Sequence, residues 1–407
     1  MAISTTLIVV FIAYLALLIA VLYFCIVADP DESPVAMFLV EDLPRRSWSA
    51  LRKVLGGKNL KIVEWLVDHM LILIYCMVVF GSWSIIFAYV YPWIDSQSYV
   101  SKFHKVVGYA VFASCVGSWR YASSTSPGII TAKTIKFYDH FPFDDLMFEA
   151  NKVCPTRGIP RLARSKFDRF KYTENVPRFD HFCGWIHNTV GEENYRFFLL
   201  FLVVHVGMCV YGSVVLGMLF YGEILDKDLL EATFFNRYTG EEIQADKWII
   251  FQYLFNRFFS EAGVFMIMAV MGIALGMFLG YHMWLTSNGL TTNESYKWGQ
   301  VKKWYKTELR RYKEAVKSGD IVDSDGRRCQ PSVTEEGVIF TATPGQRAVE
   351  TSSSTPVAET LKDVAVDPGP PPKNLYDRGF VENWKEVISP LSIRRRKSFA
   401  VQKSKAT

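Results

Sequence analysis

Residues 4–27 run for 24 positions without a charged side chain, and four more long apolar stretches follow. A bilayer core is crossed by a helix of roughly 20 mostly apolar residues. Within lipid the backbone must satisfy its own hydrogen bonds, which favours helices. The later stretches lie near Met70–Trp93, His104–Trp119, Phe197–Tyr221 and Val264–Leu285. The chain is therefore expected to be an α-helical polytopic membrane protein with about five transmembrane helices. The first stretch has no basic start and no small-residue cleavage site after it, so it reads as a span and not a signal peptide. The aromatic segment Trp248–Phe259 contains Arg257 and reads as an interfacial or lumen-side helix.

Loop charges orient these spans, because Lys and Arg accumulate on the cytosolic side. Arg45, Arg46, Arg52 and Lys53 follow the first span, and Lys297, Lys302, Lys303 and Arg310 follow the last. The loop 222–263 is net acidic and should face the lumen. The N-terminus is then lumenal and the C-terminus cytosolic. The resulting division is a membrane region 1–137, a cytosolic block 138–196 and a membrane pair 197–286. A basic cytosolic segment 287–316, a flexible linker 317–373 and an ordered C-terminal stretch 374–407 complete it. The linker is rich in Ser, Thr and Pro and has too few apolar residues for a core. The net charge of +5 is modest and forms no basic stripe, which argues against nucleic acid as a partner. The seven cysteines are scattered with no C-x-x-C pair, so neither a zinc site nor a disulfide framework is indicated.

The cytosolic block contains Asp180, His181 and Cys183. A thiolate is the reactive form of cysteine, and a neighbouring base favours it. By spacing alone the three residues fit a catalytic cluster or an ordinary polar loop. His187 and the intramembrane His205 are secondary candidates. His205 reads equally as a helix-packing residue.

The wider string "FDHFCGWIHNTVGEENYRFF" resembles the signature of the DHHC protein S-acyltransferases. Phe179, Asp180, His181, Cys183, Gly184, Trp185, Asn188, Gly191, Asn194 and Phe198 match in order. Upstream, "CPTRGIPRLARSK" is similar to the stretch that precedes that signature, keeping Cys154, Arg164, Ser165 and Lys166. "TTNE", with Thr291, Thr292 and Glu294, stands where the family carries its T-T-x-E motif. Asn374, Tyr376, Gly379 and Asn383 resemble its C-terminal motif.

The resemblance implies a polytopic protein S-palmitoyltransferase with short β-hairpins in its cytosolic block. Cys183 would take the acyl group from palmitoyl-CoA and pass it to cytosolic cysteines of membrane-associated proteins. His181 would be the base, Asp180 would orient it, and Thr292 would contact Asp180. Lys166, Arg169, Lys171 and Arg178 are candidates for the CoA phosphates. A non-catalytic scaffold of the same family is the alternative. The family's block also binds zinc through cysteines and histidines, but here Arg157, Phe182 and Thr189 replace three ligands, and "FDRFKYTEN" replaces a cysteine-rich run. Zinc is therefore expected to be absent, since one surviving cysteine cannot hold a four-coordinate ion. Phe167, Phe170, Tyr172, Phe179 and Phe182 are expected to form an aromatic core instead. Asp168, Glu174, Arg157, Arg169 and Lys171 would pair around it. The final "KSKAT" resembles a K-x-K-x-x retrieval signal and favours the endoplasmic reticulum over the Golgi or plasma membrane.

Overall fold

The computed structural model describes residues 43–55, 57–235, 240–318, 321–322, 327–334, 337–347 and 368–406. The span expected at 4–27 lies outside them, as does the last residue of the retrieval-like tail. The chain divides into two compact units, Met1–Ile74 and Tyr75–Thr407. The first holds α1 (Leu43–Val54) and the start of α2 (Gly57–Ile85). In α1, four basic residues and no acidic one precede the membrane helix.

The second unit carries the remaining elements. A π-helical turn, Ile86–Val90, joins α2 to α3 (Tyr91–Ser96). Then come α4 (Phe103–Ser124) and α5 (Ile135–Tyr138). Two antiparallel hairpins follow: β1 (Lys166–Phe167) with β2 (Asn175–Val176), and β3 (His181–Cys183) with β4 (Asn188–Val190). The chain then enters α6 (Tyr195–Asp226), crosses a short hairpin of β5 (Thr233–Phe235) and β6 (Glu242–Gln244), and forms α7 (Lys247–Arg257). Asp246 starts α7 by accepting the Ile249 N–H at 2.7 Å. Next come α8 (Phe259–Ser287) and α9 (Thr292–Ser318).

Three helices among the described residues are long and apolar enough to cross a membrane: Lys58–Ser96, Tyr195–Asp226 and Phe259–Ser287. The expected span near 104–119 is a helix, α4, but it is not one of those three. His104, Lys105, Ser114, Ser118 and Arg120 dilute its apolar character. The described residues are thus helix-rich with three candidate membrane helices, consistent with a polytopic membrane protein.

Within 317–373, read as a flexible linker, β7 (Ile321–Val322), β8 (Arg327–Thr334) and β9 (Gly337–Arg347) form a three-stranded antiparallel sheet. The β-branched run Val338, Ile339 and Thr341 suits a strand, a propensity that overall polarity concealed. The chain ends with α10 (Phe380–Ile388) and α11 (Leu391–Ala406).

A core of Trp83, Trp93, Val215, Leu219, Val264 and Met268 joins the helices deep in the bundle. There, a Cβ at Gly212 would collide with the Met268 sulfur, so glycine lets α6 and α8 approach closely. A second core of Cys183, Ile186, Val190, Tyr195, Phe198 and Val387 seats the β3–β4 hairpin on the first turn of α6 and on α10.

Candidate active site

Strand β3 explains why the sequence order matters. Alternate residues of a strand point to the same face. His181 and Cys183 therefore share one face, and Phe182 takes the other. β4 holds β3 in register, pairing His181 with Val190 and Cys183 with Asn188. Asn188 is anchored in turn, its amide donating to the Ala122 and Thr125 carbonyls at 2.9 Å each.

His181 Nδ1 donates to Asp180 Oδ2 at 2.6 Å, which directs its other nitrogen to the thiol. Burial pulls the His181 imidazole down, but hydrogen bonds to Asp180 and Cys183 outweigh it, and it is pushed up to about 10. Asp180 is buried, which alone would raise it, yet the bond and charge of His181 hold it below the usual carboxylate range. At neutral pH the site therefore holds an ionised Asp180 and a charged His181 beside Cys183.

Asp180 is fixed from the far end of the chain. Thr292 donates its backbone N–H to Oδ1 at 2.8 Å and its hydroxyl to Oδ2 at 2.9 Å. Thr292 is the first residue of α9, so Asp180 meets unpaired N–H groups and the positive end of that helix. Thr291 and Glu294 close a capping box there: the Thr291 N–H reaches Glu294 Oε2 at 2.9 Å, and the Glu294 N–H reaches Thr291 Oγ1 at 3.2 Å.

Glu294 also grips Arg164 in a two-pronged ion pair, with both nitrogens at 2.7 Å. Arg164 is 1 % exposed. Its guanidinium lies between the Phe141 and Tyr376 rings, 4.8 and 4.6 Å from their centroids. The C-terminal motif joins this block. Asn374 donates to the Asn288 carbonyl at 2.8 Å, Asn383 to the Ser287 carbonyl at 2.9 Å, and the Tyr376 hydroxyl to the Pro142 carbonyl at 3.1 Å. Gly289, with φ +64°, passes so near Tyr376 that a Cβ would lie 2.6 Å from its carbonyl oxygen.

The basic candidates for CoA phosphates separate. Arg178 is buried and ion-paired with Glu386 at 3.2 Å, so it is withdrawn from that role. Sequence proximity to Cys183 suggested it, but its backbone at φ +43° turns it inward. Lys166, Arg169 and Lys171 stay exposed. Lys166 reaches Asn293 at 3.2 Å, and Lys171 reaches the His187 carbonyl at 2.9 Å.

The residues at the family's zinc positions do not fit zinc. Arg157 donates to the Thr173 carbonyl at 3.0 and 2.7 Å and pairs with Glu174 at 2.8 Å. Buried Asp168 accepts the Phe170, Lys171 and Tyr172 N–H groups and, at 2.9 Å, the Thr189 hydroxyl. Phe182 stacks on Phe170 with centroids 4.8 Å apart. Burial raises the Cys154 thiol, but bonds from Asn175, Arg157 and Thr156 outweigh it and lower it. The expected aromatic core is only partly formed, since Phe170 is 67 % exposed and Lys166 covers Phe179 instead. Asp168 was expected to pair with basic neighbours. It caps a turn because three consecutive N–H groups converge on it.

Residues 147–299 match the family model of the DHHC palmitoyltransferases. This stretch holds the β3–β4 hairpin with Cys183 as well as Thr291, Thr292 and Glu294. It is similar to palmitoyltransferase SWF1 of Yarrowia lipolytica, 27% identical over 79% of each chain. It is similar to palmitoyltransferase ZDHHC4 of Mus musculus, 30% identical over 44% of this chain and 53% of that one. It is also similar to palmitoyltransferase swf1 of Schizosaccharomyces pombe, 32% identical over 44% and 46% respectively. The matched stretch is thus about half the length of the mouse and fission-yeast relatives.

Sequence reasoning missed several residues around this site. Arg164 was noted only as a motif match, and Glu386, Tyr195 and His282 were not noted. His205 was the intramembrane histidine singled out. It is satisfied as a packing residue, with the Tyr75 hydroxyl at 2.9 Å and the Phe201 carbonyl at 2.8 Å. The same rule that marks intramembrane histidines would also have marked His282.

Proposed function

We propose that the protein transfers a long-chain acyl group from acyl-CoA to cysteine thiols of membrane-associated proteins, through an acyl-enzyme on Cys183. The hydrogen-bonded series Thr292–Asp180–His181–Cys183 carries this reading. The charged His181 already holds the proton that Cys183 gives up, and the thiolate attacks the thioester carbonyl. As the tetrahedral intermediate collapses, the carbon–sulfur bond to CoA breaks and the His181 proton goes to the departing sulfur. A substrate thiol then gives its proton to His181 and attacks the acyl-Cys183 carbonyl, releasing Cys183.

Position supports the chemistry. β4 is four residues from α6, so Cys183 sits at a membrane-helix end where soluble CoA and lipid-bound substrates meet. Placing a hexadecanoyl chain among the helices gains on the order of 10 kcal/mol, at about 0.8 kcal/mol per CH2. Lys166, Arg169 and Lys171 supply exposed positive charge for the CoA phosphates. The cytosolic block works without zinc, its metal positions being taken by hydrogen bonds and an aromatic pair. The loop charges favour a cytosolic face for the block that holds Cys183.

Purified protein incubated with labelled palmitoyl-CoA should acquire hydroxylamine-sensitive label. Cys183→Ser should acquire none, and His181→Ala far less than wild type. If wild type takes up no more label than Cys183→Ser, the scaffold reading replaces the enzyme.

A further inference from the structure

His282, on the last turns of α8, is fully buried next to the proposed catalytic histidine. The two imidazole centroids lie 5.9 Å apart with the rings inclined at 38°. Phe198 presents itself edge-on to both, 5.1 Å from His181 and 5.0 Å from His282. His282 has its own anchor. The Tyr195 hydroxyl lies 2.9 Å from its Nδ1. With Tyr195 as donor, the ring proton resides on Nε2. Nε2 is buried and has no hydrogen-bond partner among the described residues. Such a group calls for an explanation, because buried polar atoms are paired almost everywhere else. A packing role alone would be met by an apolar side chain.

We propose that His282 is a positioning residue, which with Tyr195 holds the His181 imidazole in the rotamer that joins Asp180 to Cys183. The inference rests on the acyl-enzyme reading of the site. Asp180 fixes one nitrogen of His181 but leaves the ring free to swing about that bond. Phe198 and His282 close off that swing from α6 and α8. Tyr195, the first residue of α6, keeps His282 from turning away. The site is thereby tied to the helices on either side of the lumenal loop. The charged and titratable groups facing His181 are Asp180 just before its strand, Cys183 on the strand and His282 from α8.

The full-length protein is purified in detergent, and acyl-enzyme formation is followed with labelled palmitoyl-CoA across about pH 6 to 10. His282→Ala and Tyr195→Phe should each lower kcat roughly tenfold to a hundredfold with KM for acyl-CoA unchanged. The double variant should be no slower than the slower single one, because the two residues act as one unit. His282→Asn, whose amide oxygen can accept the Tyr195 proton, should recover most of the rate. The alkaline limb of the pH profile, near pH 10 in wild type, should move to lower pH in His282→Ala as His181 loses its alignment with Asp180. Unchanged rates overturn the proposal. So do additive losses in the double variant, or a lower amplitude with the limb unmoved. If His181→Ala retains full labelling, the catalytic reading itself fails. If His181→Ala is inactive and the double variant is additive, only the role of His282 fails.

Discussion

Asp180 is held by three donors, and each changes what it does for His181. Against burial, His181 chiefly and the Thr292 N–H in addition keep the carboxylate ionised, and the ionised carboxylate keeps His181 charged. Because the folded-state value of His181 is raised to about 10, its charge persists through neutral pH and is lost as pH climbs through that value. Acyl-enzyme formation should accordingly hold its plateau until pH approaches 10. In Asp180→Asn the alkaline limb should fall toward the ordinary histidine value of about 6.5, measured as the pH dependence of labelling. A limb that stays near 10 in that variant would show that the carboxylate is not its source. Asp168 has a different task, gathering three backbone N–H groups and the Thr189 hydroxyl where the family uses metal. Asp168→Ala should lower the thermal midpoint clearly, while a zinc chelator leaves wild type unmoved. Near-stoichiometric zinc in the purified protein would refute this account.

At the scale of elements, the start of α9 is a junction. Its capping box satisfies the helix, its Thr292 fixes Asp180, and its Glu294 binds Arg164. Buried ion pairs gain little net stability when complete, but removing one partner strands a charge and costs about 3–5 kcal/mol. Arg164→Met should therefore destabilise the cytosolic block by that amount and lower labelling with it, followed by melting in detergent. Thr291→Ala removes only a cap and should cost about 1 kcal/mol. Equal effects from the two substitutions would mean that the Arg164–Glu294 pair is not the main tie. α10 adds a second tie, because Glu386 meets Arg164, Arg178 and Arg378 at 3.3, 3.2 and 3.3 Å.

At the scale of the molecule, α11 is fastened near the root of α6. The Ser392 N–H reaches the buried Glu192 at 3.2 Å, Arg396 pairs with Glu193, and Arg395 donates to the Asp139 carbonyl at 2.9 Å. His140 Nε2 lies 3.5 Å from Glu192. Burial pushes Glu192 up to about 7 and His140 down to about 4. A carboxyl whose folded-state value is raised stabilises the fold fully below its unfolded value, and that contribution is lost as pH rises through about 7. His140 acts in the opposite sense, its contribution being present above its unfolded value and lost as pH falls toward about 4. Glu192→Gln, which keeps the neutral form, should melt higher than wild type above about pH 7 and lose the decline seen there. Parallel melting curves for both proteins across that range would exclude Glu192 as the source.

The sequence by itself determined the membrane helices it could register locally. Apolar composition over some twenty residues is a property of one segment, and the helices at 195–226 and 259–287 follow from it. It also singled out the proposed catalytic trio, because Asp180, His181 and Cys183 are near neighbours in one motif. Only the tertiary structure decided how that trio is held. Strand geometry places His181 and Cys183 on one face, whereas the spacing alone allowed a loop. Arg164 and Glu294 are 130 residues apart, and Arg164 and Glu386 are 222 apart. No local period encodes such pairings. The same reason explains Arg178, which looks like a free surface cation until Glu386 is brought beside it. It also explains Asp168, whose three converging N–H groups exist only once the turn has closed. His282 is one apolar-run histidine among others until α8 packs against α6. Its role belongs to the fold, because its neighbours Tyr195 and His181 reach it from two other elements.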